Sequence, residues 1–273
     1  MAIKYINCNL CGQNSFTVLE TDEIYQVVKC KNCKLIYVNP QPDKTLLFEH
    51  YNQKYFDPWL KEQFTAREKM WKKRLKKVQA LKKAGRLLDV GCGTGLFLSQ
   101  ARNSGWDVYG TEVSGFAVDY IKNKFGIGVL KGKLRDAKFP DNFFDVVTFW
   151  HVLEHTADPL GNLTEARRIL KPGGVVVIAV PNAHNIIYKT IYMLIKLRKL
   201  RLFSINDREK HLYYFSTGTL KKIIEKANLI PVKLDADKER IILGERIIDT
   251  FAWIVYKILK VNFGMAIEVY ARK

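Results

Sequence analysis

The sequence has few acidic residues and no long apolar run. Its 27 Asp and Glu stand against 45 Lys and Arg, which gives a formal net charge of +18 over 273 residues. This excess favours an anionic partner, such as RNA, a phosphorylated or lipid-linked substrate or an acidic membrane surface, over a basic surface without such a partner. No stretch reaches the roughly 20 uncharged apolar residues that a spanning helix needs, so no transmembrane segment is predicted.

A signal peptide is also missing from the N-terminus. The opening residues, MAIKYINCNLCG, contain neither an apolar run nor a small-residue cleavage site, so we expect a cytoplasmic protein, with membrane association left open. The chain has only five cysteines, and their arrangement in CxxC pairs fits a reducing compartment better than disulfides. The length suits one large core with a small appendage.

The cysteine pairs are the clearest feature of the first forty residues. Cys8 and Cys11 form one CxxC pair, Cys30 and Cys33 form the other, and eighteen residues separate the pairs. This spacing is typical of four-cysteine zinc sites, in which four thiolates leave no coordination position open for catalysis. We therefore expect a structural zinc knuckle over residues 1–42, which ends at an Asn-Pro-Gln-Pro segment.

A basic helical stretch follows and leads into an alternating pattern. Residues 43–85 form this lead-in, with a helix predicted over Trp59–Ala84 and ended by Gly85. Across residues 86–273, short apolar segments alternate with helical ones, which predicts a doubly wound α/β sheet. The predicted strands are Leu87–Val90, Asp107–Thr111, Gly128–Leu130, Asp145–Trp150, Gly174–Val180, Ile230–Leu234 and Met265–Ala271, and the best helices are Phe97–Ser104, Gly115–Phe125 and Pro159–Leu170.

A glycine-rich loop joins the first of these strands to a helix. Residues 87–95 read LLDVGCGTG, and the three alternating glycines permit turns and close backbone approaches that other residues do not. The spacing lacks the GxGxxG of dinucleotide-binding folds, and an acid, Asp89, precedes the first glycine. Glu112 ends the next strand, where doubly wound folds place a carboxylate for ribose hydroxyls. The pattern predicts a nucleoside ligand.

The chain from Arg86 to Asn182 resembles the class I S-adenosylmethionine-dependent methyltransferases, in particular the small-molecule group that includes the ubiquinone-biosynthesis O-methyltransferases. The segments LDVGCGTG, GTEVS, FPDNFFDVVTFWHVLEH and RRILKPGGVVVIAVPN carry the resemblance. It implies a seven-stranded Rossmann-like sheet and S-adenosylmethionine as cofactor. The implied cofactor site consists of Asp89 at the amino-acid end, Gly91, Cys92, Gly93 and Gly95 as backbone lining, Glu112 on the ribose, Val113 against the adenine, and Trp150.

The sequence departs from that family at one position of the implied site. Lys133 stands where many members carry an aspartate for the adenine amine, so we expect the main chain of Lys133 and Leu134 to bind the adenine instead. Cys92 is interpreted as a small loop residue and not as a nucleophile. An NAD enzyme, or an inactive relative of the fold, is the alternative.

The segment HVLEH, residues 151–155, follows the fourth strand of the predicted sheet. Its spacing fits one class of zinc peptidases, but the buried strand before it and Asp158-Pro159 after it leave no room for the helix that such a site requires. His155 or His151 is a candidate general base, because imidazole titrates near neutral pH; a structural His155, bonded to backbone, is the alternative. In ubiquinone-pathway relatives acids and a histidine of this segment can hold a divalent cation; Glu154 and His155 match that arrangement, but His151 replaces one acid.

Two apolar segments lie after the fifth strand. An insertion spans about residues 185–215, and its first part, Asn185–Phe203, has five Lys and Arg and no acid; an apolar helical segment spans about residues 245–261. Basic amphipathic helices of this kind can lie on anionic membranes or cover a hydrophobic substrate. The alternative is that the segment forms a lid helix packed on the core. Tyr51 and Tyr55 are expected to close over the cofactor.

The resemblance implies an enzyme that moves a methyl group directly to a small hydroxylated acceptor, such as a glycan, a lipid-linked molecule or a quinone-like precursor. Orientation of the acceptor supplies most of the rate advantage. The alternative is RNA methylation or RNA binding through the zinc knuckle and the basic helix around Lys72–Lys83. Aromatic residues for base stacking are sparse along that helix, which favours the small acceptor. A cofactor-binding module without activity is a third hypothesis.

Overall fold

The structure is a computed structural model that describes residues 3–48, 50–198, 200–237, 243–259 and 262–273. The strands are β1 (Ile3–Lys4), β2 (Phe16–Asp22), β3 (Tyr25–Cys30), β4 (Ile36–Val38), β5 (Gln41–Pro42), β6 (Arg86–Val90), β7 (Asp107–Glu112), β8 (Leu130–Lys131), β9 (Phe144–Trp150), β10 (Leu170–Pro181), β11 (Tyr213–Tyr214), β12 (Ile230–Ala236) and β13 (Ala266–Arg272). The helices are α1 (Lys44–Phe48), α2 (Gln53–Leu60), α3 (Phe64–Gln79), α4 (Leu96–Asn103), α5 (Gly115–Phe125), α6 (Pro159–Ile169), α7 (Ile186–Lys196), α8 (Thr217–Lys226) and α9 (Leu243–Leu259).

Seven strands form the central sheet, in the order β12, β13, β10, β9, β6, β7 and β8. The pairs from β10 to β8 are parallel, and β13 is antiparallel to both of its neighbours. Helices α4, α5 and α6 connect successive parallel strands. The predicted doubly wound fold is therefore confirmed. The carboxyl ends of β6, β7, β9 and β10 meet at one edge, where open sheets of this kind bind ligands.

Both faces of this sheet are buried. Along β10, Val176 and Ile178 belong to one apolar cluster, while Val175 and Val177 belong to another. Because successive side chains of a strand point to opposite faces, the two clusters lie on the two sides of the sheet. The first cluster continues into the cysteine-containing N-terminal region and includes Cys8.

A second sheet connects the N-terminal region to the insertion. Its order is β11, β4, β3 and β2, and β11 comes from the segment after residue 210, more than 170 positions along the chain from β4. Tyr213 pairs with Tyr37 and Tyr214 with Ile36 in antiparallel register. A short pairing of β1 with β5 closes the N-terminal region. Part of the insertion is thus held by the region that carries the cysteines.

The basic stretch before β6 differs from its prediction. In place of one helix there are two, because α2 begins at an Asn52 cap and ends at Leu60, and α3 then ends at Gln79, six residues before Gly85. Gly85 was therefore wrongly predicted to end this helix. It has φ of +135°, and a Cβ atom there would lie 2.5 Å from Asp145 Oδ2, so the glycine permits a close approach to the start of β9.

The other element boundaries differ by smaller amounts. The third strand of the parallel set, β8, has only two residues and begins at Leu130 instead of Gly128. β10 begins at Leu170, earlier than predicted, because Leu170 already pairs with Phe144 of β9. No helix within the described ranges has both the length and the apolar content needed to cross a bilayer.

Candidate active site

The glycine loop between β6 and α4 leaves no room for side chains at two of its positions. Gly91, Gly93 and Gly95 all have left-handed backbones, with φ of +65°, +54° and +70°. A Cβ atom on Gly91 would lie 2.8 Å from Val152 Cγ2, and one on Gly95 would lie 2.7 Å from Ile121 Cγ1. These residues therefore have to be glycine, and the loop presents backbone at the amino end of α4, where polar ligands are favoured.

Two buried carboxylates flank this loop at the ends of adjacent parallel strands. Asp89 Oδ1 accepts a 2.6 Å hydrogen bond from the Thr148 hydroxyl, and burial raises the pKa of Asp89 to about 7. Glu112 accepts hydrogen bonds from the N–H of Gly93 at 2.8 Å and the N–H of Ser114 at 2.9 Å, and burial raises its pKa as well. Glu112 is thereby fixed beside the glycine loop, in the position expected for a ribose-binding acid.

The remaining residues of the implied cofactor site lie around this pair. Cys92 is buried, burial raises the pKa of its thiol, and a Cβ atom on Gly110 would lie 3.0 Å from its sulfur. This close packing fits the interpretation of Cys92 as a small loop residue. Trp150, at the end of β9, packs edge-to-face on Phe97 and on Trp71, with ring centroids 5.6 and 5.8 Å away.

The turn expected to bind adenine is internally bonded. The N–H of Lys133 donates to Asp136 Oδ2 at 2.9 Å, and the carbonyl oxygen of Lys133 accepts from the N–H of Asp136 at 3.0 Å. Leu134 is buried and Val113, directly after Glu112, is half-buried. The binding of adenine by Lys133 and Leu134 stays a prediction. For Lys133 to bind the base, its N–H would have to give up the hydrogen bond to Asp136 and donate to the adenine instead.

An aromatic lid, residues 50–59, covers the glycine loop. A Cβ atom on Gly93 would meet Trp59 Cζ3 at 3.4 Å, and the Ser114 hydroxyl donates a 2.5 Å hydrogen bond to the carbonyl of Tyr51. On its other side the lid contacts the insertion, because the Tyr55 hydroxyl donates to Glu209 Oε1 at 3.3 Å. These contacts place the segment beside the glycine loop, and the closure of Tyr51 and Tyr55 over the cofactor stays a prediction.

Glu154 is the most unusual side chain of the site. It is 1% exposed, and among the described residues neither carboxylate oxygen has a hydrogen-bond donor within range. His151 Nδ1, at 3.6 Å from Oε1, is too far for a hydrogen bond. Burial alone would raise the pKa of Glu154, but the adjacent His151, His155 and His211 lower it. The site thus keeps a buried carboxylate that has His151 at ion-pair distance but accepts no hydrogen bond from the described residues, which is costly in free energy.

Histidines surround this carboxylate. His155 Nδ1 lies 2.9 Å from the carbonyl oxygen of Lys210, and its ring centroid lies 4.7 Å from that of His211. Burial and the charge of His155 lower the pKa of His211 to about 4, and burial with the charges of Lys210 and His155 lowers that of His50 to about 4. Four of the five histidines therefore interact here, namely His50, His151, His155 and His211.

These groups have the donor set of a cation site. One ligand atom each from Glu154, His155 and His211 lies within 4.8 Å of the others. A carboxylate and two neutral imidazoles are ordinary ligands of divalent transition metals. His211 and His50 were not among the predicted site residues. His211 lies near the end of the insertion, in the segment HLYYF, where local sequence does not reveal its nearness to His155.

Backbone hydrogen bonds join this segment to the rest of the site. The N–H of Leu212 donates to the carbonyl of Glu154 at 2.7 Å, and the N–H of Val38 donates to the carbonyl of Leu212 at 2.9 Å. The Tyr213 hydroxyl donates to the Ala157 carbonyl at 3.1 Å and accepts from Gln41. The loop after β9, the insertion and the N-terminal sheet are therefore one hydrogen-bonded unit.

The basic helix α3 turns two of its cations inward, although most of its charge was expected to face water. Arg74 is 2% exposed and donates to Asp237 Oδ2 at 2.5 Å, and Lys77 donates to the buried Glu268 at 2.7 Å. The Arg74 guanidinium also lies over the rings of Trp71 and Trp150, 5.0 and 4.8 Å from their centroids. Arg74 is thus part of the wall behind β9.

His151 connects this ion pair to Glu154. Its Nε2 atom lies 3.4 Å from Arg74 Nη2 and 3.7 Å from Asp237 Oδ2. Burial alone would lower the pKa of His151, but Asp237 and Glu154 offset this and raise it. Its φ of +57° is unusual for a residue other than glycine, which marks a locally constrained backbone. His151 is therefore held in place by two acids.

The four cysteines of the N-terminal region come together. Cys8 Sγ lies 3.4 Å from Cys33 Sγ, Cys11 Sγ lies 3.5 Å from Cys30 Sγ, and all four sulfurs lie within 4.8 Å of one another. With zinc–sulfur bonds of about 2.3 Å, tetrahedral ligands lie about 3.8 Å apart, so this group can hold zinc. Gly12 and Lys34, which follow the two pairs, both have left-handed backbones that turn the chain around the site.

The fold and the site together define a doubly wound nucleoside-binding protein. A methyltransferase domain family matches residues 60–234. The chain is also 31% identical, over 184 residues, to demethylmenaquinone methyltransferase of Staphylococcus aureus, which covers 61% of this chain and 76% of that protein. The chain therefore belongs to the methyltransferase domain family, and S-adenosylmethionine is its methyl donor.

Solved structures agree on the fold. A S-adenosylmethionine-dependent methyltransferase of Archaeoglobus fulgidus is similar with a TM-score of 0.55 and 20% identity, over 81% of this chain and all of that one. A second, from Mesorhizobium loti, has a TM-score of 0.51 and 17% identity over 72% of this chain and 96% of that one. The family resemblance and the fold predicted from the sequence are both confirmed.

Proposed function

We propose that this methyltransferase acts on a small hydroxylated acceptor that binds between the aromatic lid and the loop after β9. The observation that carries the proposal is Glu154, a buried carboxylate without a hydrogen-bond donor, surrounded by histidines at the carboxyl end of a central strand. An ionised group is kept in such a place at a cost in stability, and perturbed titratable groups of this kind cluster at functional sites.

The donor side of the pocket would be held by the glycine loop and its two acids. Gly91, Gly93 and Gly95 offer backbone without side-chain obstruction, and Glu112 stands where it can accept hydrogen bonds from ribose hydroxyls. Asp89 is placed to meet the amino-acid end. When bound, S-adenosylmethionine supplies a methyl group on a sulfonium that is already a good leaving group.

His155 would take the proton from the acceptor hydroxyl. Its Nδ1 faces the Lys210 carbonyl, which can only accept, so in a neutral ring Nδ1 carries the hydrogen and Nε2 is the acceptor. An unprotonated Nε2 can accept a hydroxyl proton, and the negative charge of Glu154 stabilises the imidazolium that forms. His151, held between Asp237 and Glu154, would position this loop.

A divalent cation held by Glu154, His155 and His211 is a second way to use the same residues. It would lower the pKa of a coordinated acceptor hydroxyl, whose proton would then pass to solvent water and not to His155. The two arrangements differ in their response to a chelator, which would abolish turnover in the second and leave it unchanged in the first.

The chemical class of the acceptor is supported by a relative and by the lid. The S. aureus relative acts, by its name, on demethylmenaquinone, and a quinone-like ring would fit beside the tyrosines of the lid. A glycan or a lipid-linked precursor is consistent with the same histidines. RNA is supported less, because Arg74 and Lys77 of the basic helix are used in internal ion pairs, which leaves exposed lysines such as Lys72 and Lys76 for phosphates.

An acceptor panel tests the proposal. The purified protein would be incubated with S-adenosylmethionine and either dihydroxylated aromatic compounds, nucleotide sugars or RNA, and release of S-adenosylhomocysteine would be measured with and without EDTA. We expect turnover with a small hydroxylated acceptor, and its loss in Glu154→Gln but not in Glu225→Gln, a control on the exposed side of α8. Turnover with RNA alone, at low salt, would replace the proposal with RNA methylation.

A further inference from the structure

Helix α7 is an apolar helix that is not packed on the core. All eleven of its residues are described, none of them is buried, and eight are Ile, Leu, Met or Tyr. Leu194 is 67% exposed and Ile195 70% exposed. A lid that covers the core would bury one face, so α7 is not such a lid. An isolated helix of this length has little stability of its own in water, which indicates a contact that the chain alone does not supply.

The segments on both sides of α7 are firmly attached. Before the helix, the Asn182 amide donates to the carbonyls of Asn262 and Gly264, and the N–H of Ala183 donates to Phe215. After it, the N–H of Leu202 donates to Glu20 of β2. The helix is therefore presented at a fixed place, at the carboxyl edge of the sheet.

Helix α9 presents a second apolar face at the same edge. One side of it is attached to the fold, because the buried Asp249 accepts from the N–H of Met265 and Tyr256 donates to Leu234 of β12. On its other side, four large apolar residues are exposed at spacings of four, three and four, namely Ile247, Phe251, Ile254 and Ile258. This spacing places them in one stripe along the helix. The Asn182 bonds tie the segment after α9 to the start of the α7 segment.

The charge around α7 and α9 indicates what kind of partner binds their exposed apolar residues. Residues 185–203 contain five Lys and Arg and no acid, and Lys196 and Arg198, at the end of α7, are both exposed. A second copy of a chain with a net charge of +18 would bring like charges together. An anionic bilayer offers negative charge at its surface and an apolar layer just beneath it, which matches a basic helix with an apolar face.

We propose that α7 and the outer stripe of α9 bind the surface of an anionic membrane, with their apolar side chains in the interfacial layer. The helices flank the carboxyl edge of the sheet, so docking would bring the acceptor pocket to the lipid surface. Membrane binding would give the enzyme access to lipid-linked or quinone-like acceptors, and in this respect it extends the proposed function. Only the choice of acceptor rests on the proposed function.

Vesicle flotation tests the proposal without turnover. The full-length protein would be mixed with phosphatidylglycerol-containing vesicles or with pure phosphatidylcholine vesicles, at low and at high salt. We expect binding to the anionic vesicles that weakens with salt. Leu194→Glu with Ile195→Glu, and Phe251→Glu with Ile254→Glu, should each lower the affinity at least about tenfold, since each pair loses two buried apolar side chains and gains two negative charges.

A matched control and a second measurement make the result decisive. Ile24→Glu changes an isoleucine on the turn between β2 and β3 that is about as exposed as Ile254, and it should leave binding unchanged. All variants should bind S-adenosylhomocysteine like the wild type. Absence of binding to anionic vesicles at low salt, or equal losses for Ile24→Glu, would overturn the proposal. A dimer in sedimentation that the helix variants dissociate, without vesicle binding, would overturn it in favour of a second copy. None of these outcomes depends on the acceptor.

Discussion

The proposed donor side, which would bind S-adenosylmethionine, and the proposed acceptor side of this site are built in different ways. On the donor side, the glycine loop, Asp89 and Glu112 fall within 24 consecutive residues, and backbone groups of neighbouring strands hold them. On the acceptor side, Glu154 and His155 meet His211 and the lid, which lie far away along the chain. The donor side is thus set by local geometry, while the acceptor side depends on tertiary packing and on buried titratable side chains.

The largest effect is expected for a substitution of Glu154, which should change the acceptor side and leave the donor side intact. Glu154→Gln keeps the shape of the side chain but removes the charge that stabilises a protonated His155, or that binds a cation. We expect kcat/KM to fall about 1000-fold, within the range for loss of acid–base assistance, while the Kd for S-adenosylhomocysteine stays unchanged. Steady-state kinetics with an acceptor from the panel and calorimetry measure the two quantities. An equal weakening of nucleoside binding would show that the two sides are not separate.

The complementary change is Glu112→Ala on the donor side. It removes the carboxylate that accepts from Gly93 and Ser114 and is proposed to bind the ribose, so the Kd for S-adenosylhomocysteine should rise about 100-fold. Asp107→Ala, at the exposed start of the same strand, is the control and should bind normally. Normal nucleoside binding by Glu112→Ala, measured by calorimetry, would contradict the site assignment.

The contrast between the two sides also explains what could be predicted from the sequence. The glycine loop and the ribose acid were predictable, because a strand, three glycines and an acid at the end of the next strand are local patterns. The inward orientation of Arg74 was not, since ten basic residues in the stretch look alike and only Asp237, 163 positions later, selects this one. His211 was missed for the same reason: its partner His155 is close in space but not in sequence.

A pH-dependent stability is expected on the donor side. The pKa of Asp89 is about 7 in the fold against an ordinary value of 3.8, so the folded state holds a proton that the unfolded state releases as pH rises through this window. The free energy of unfolding should therefore fall between pH 4 and 7 and then level off. Asp89→Asn removes this loss, so at about pH 8 the ligand-free variant should be more stable than wild type by up to about 4 kcal/mol.

Urea unfolding of both proteins at about pH 4 and pH 8 measures this difference, with Asp119→Asn on the exposed side of α5 as control. The same variant should bind S-adenosylhomocysteine more weakly, which would make Asp89 a residue kept for function at a cost in stability. An equal stability difference at both pH values would show that Asp89 is not protonated in the fold.

A smaller effect is expected where the cysteine region meets the acceptor side. Cys30→Ser should abolish stoichiometric zinc binding in native mass spectrometry and raise the KM for the acceptor about tenfold, because β3 and β4 support β11 and, through Leu212, the backbone of Glu154. The Kd for S-adenosylhomocysteine should change less than about twofold. Normal metal content in this variant would rule out the four-thiolate site.

The smallest expected effect is at Cys92, which lies in the donor loop but is interpreted as a packing residue. Burial raises the pKa of its thiol, so the reactive thiolate is suppressed, and its sulfur fits closely beside Gly110. Cys92→Ser should therefore change kcat and nucleoside Kd by less than about twofold and lower stability slightly. A variant that binds the nucleoside normally but fails to turn over would assign a chemical role to the one cysteine outside the two CxxC pairs. It would also place a reactive side chain on the donor side, where the glycine loop and two acids are proposed only to bind the nucleoside.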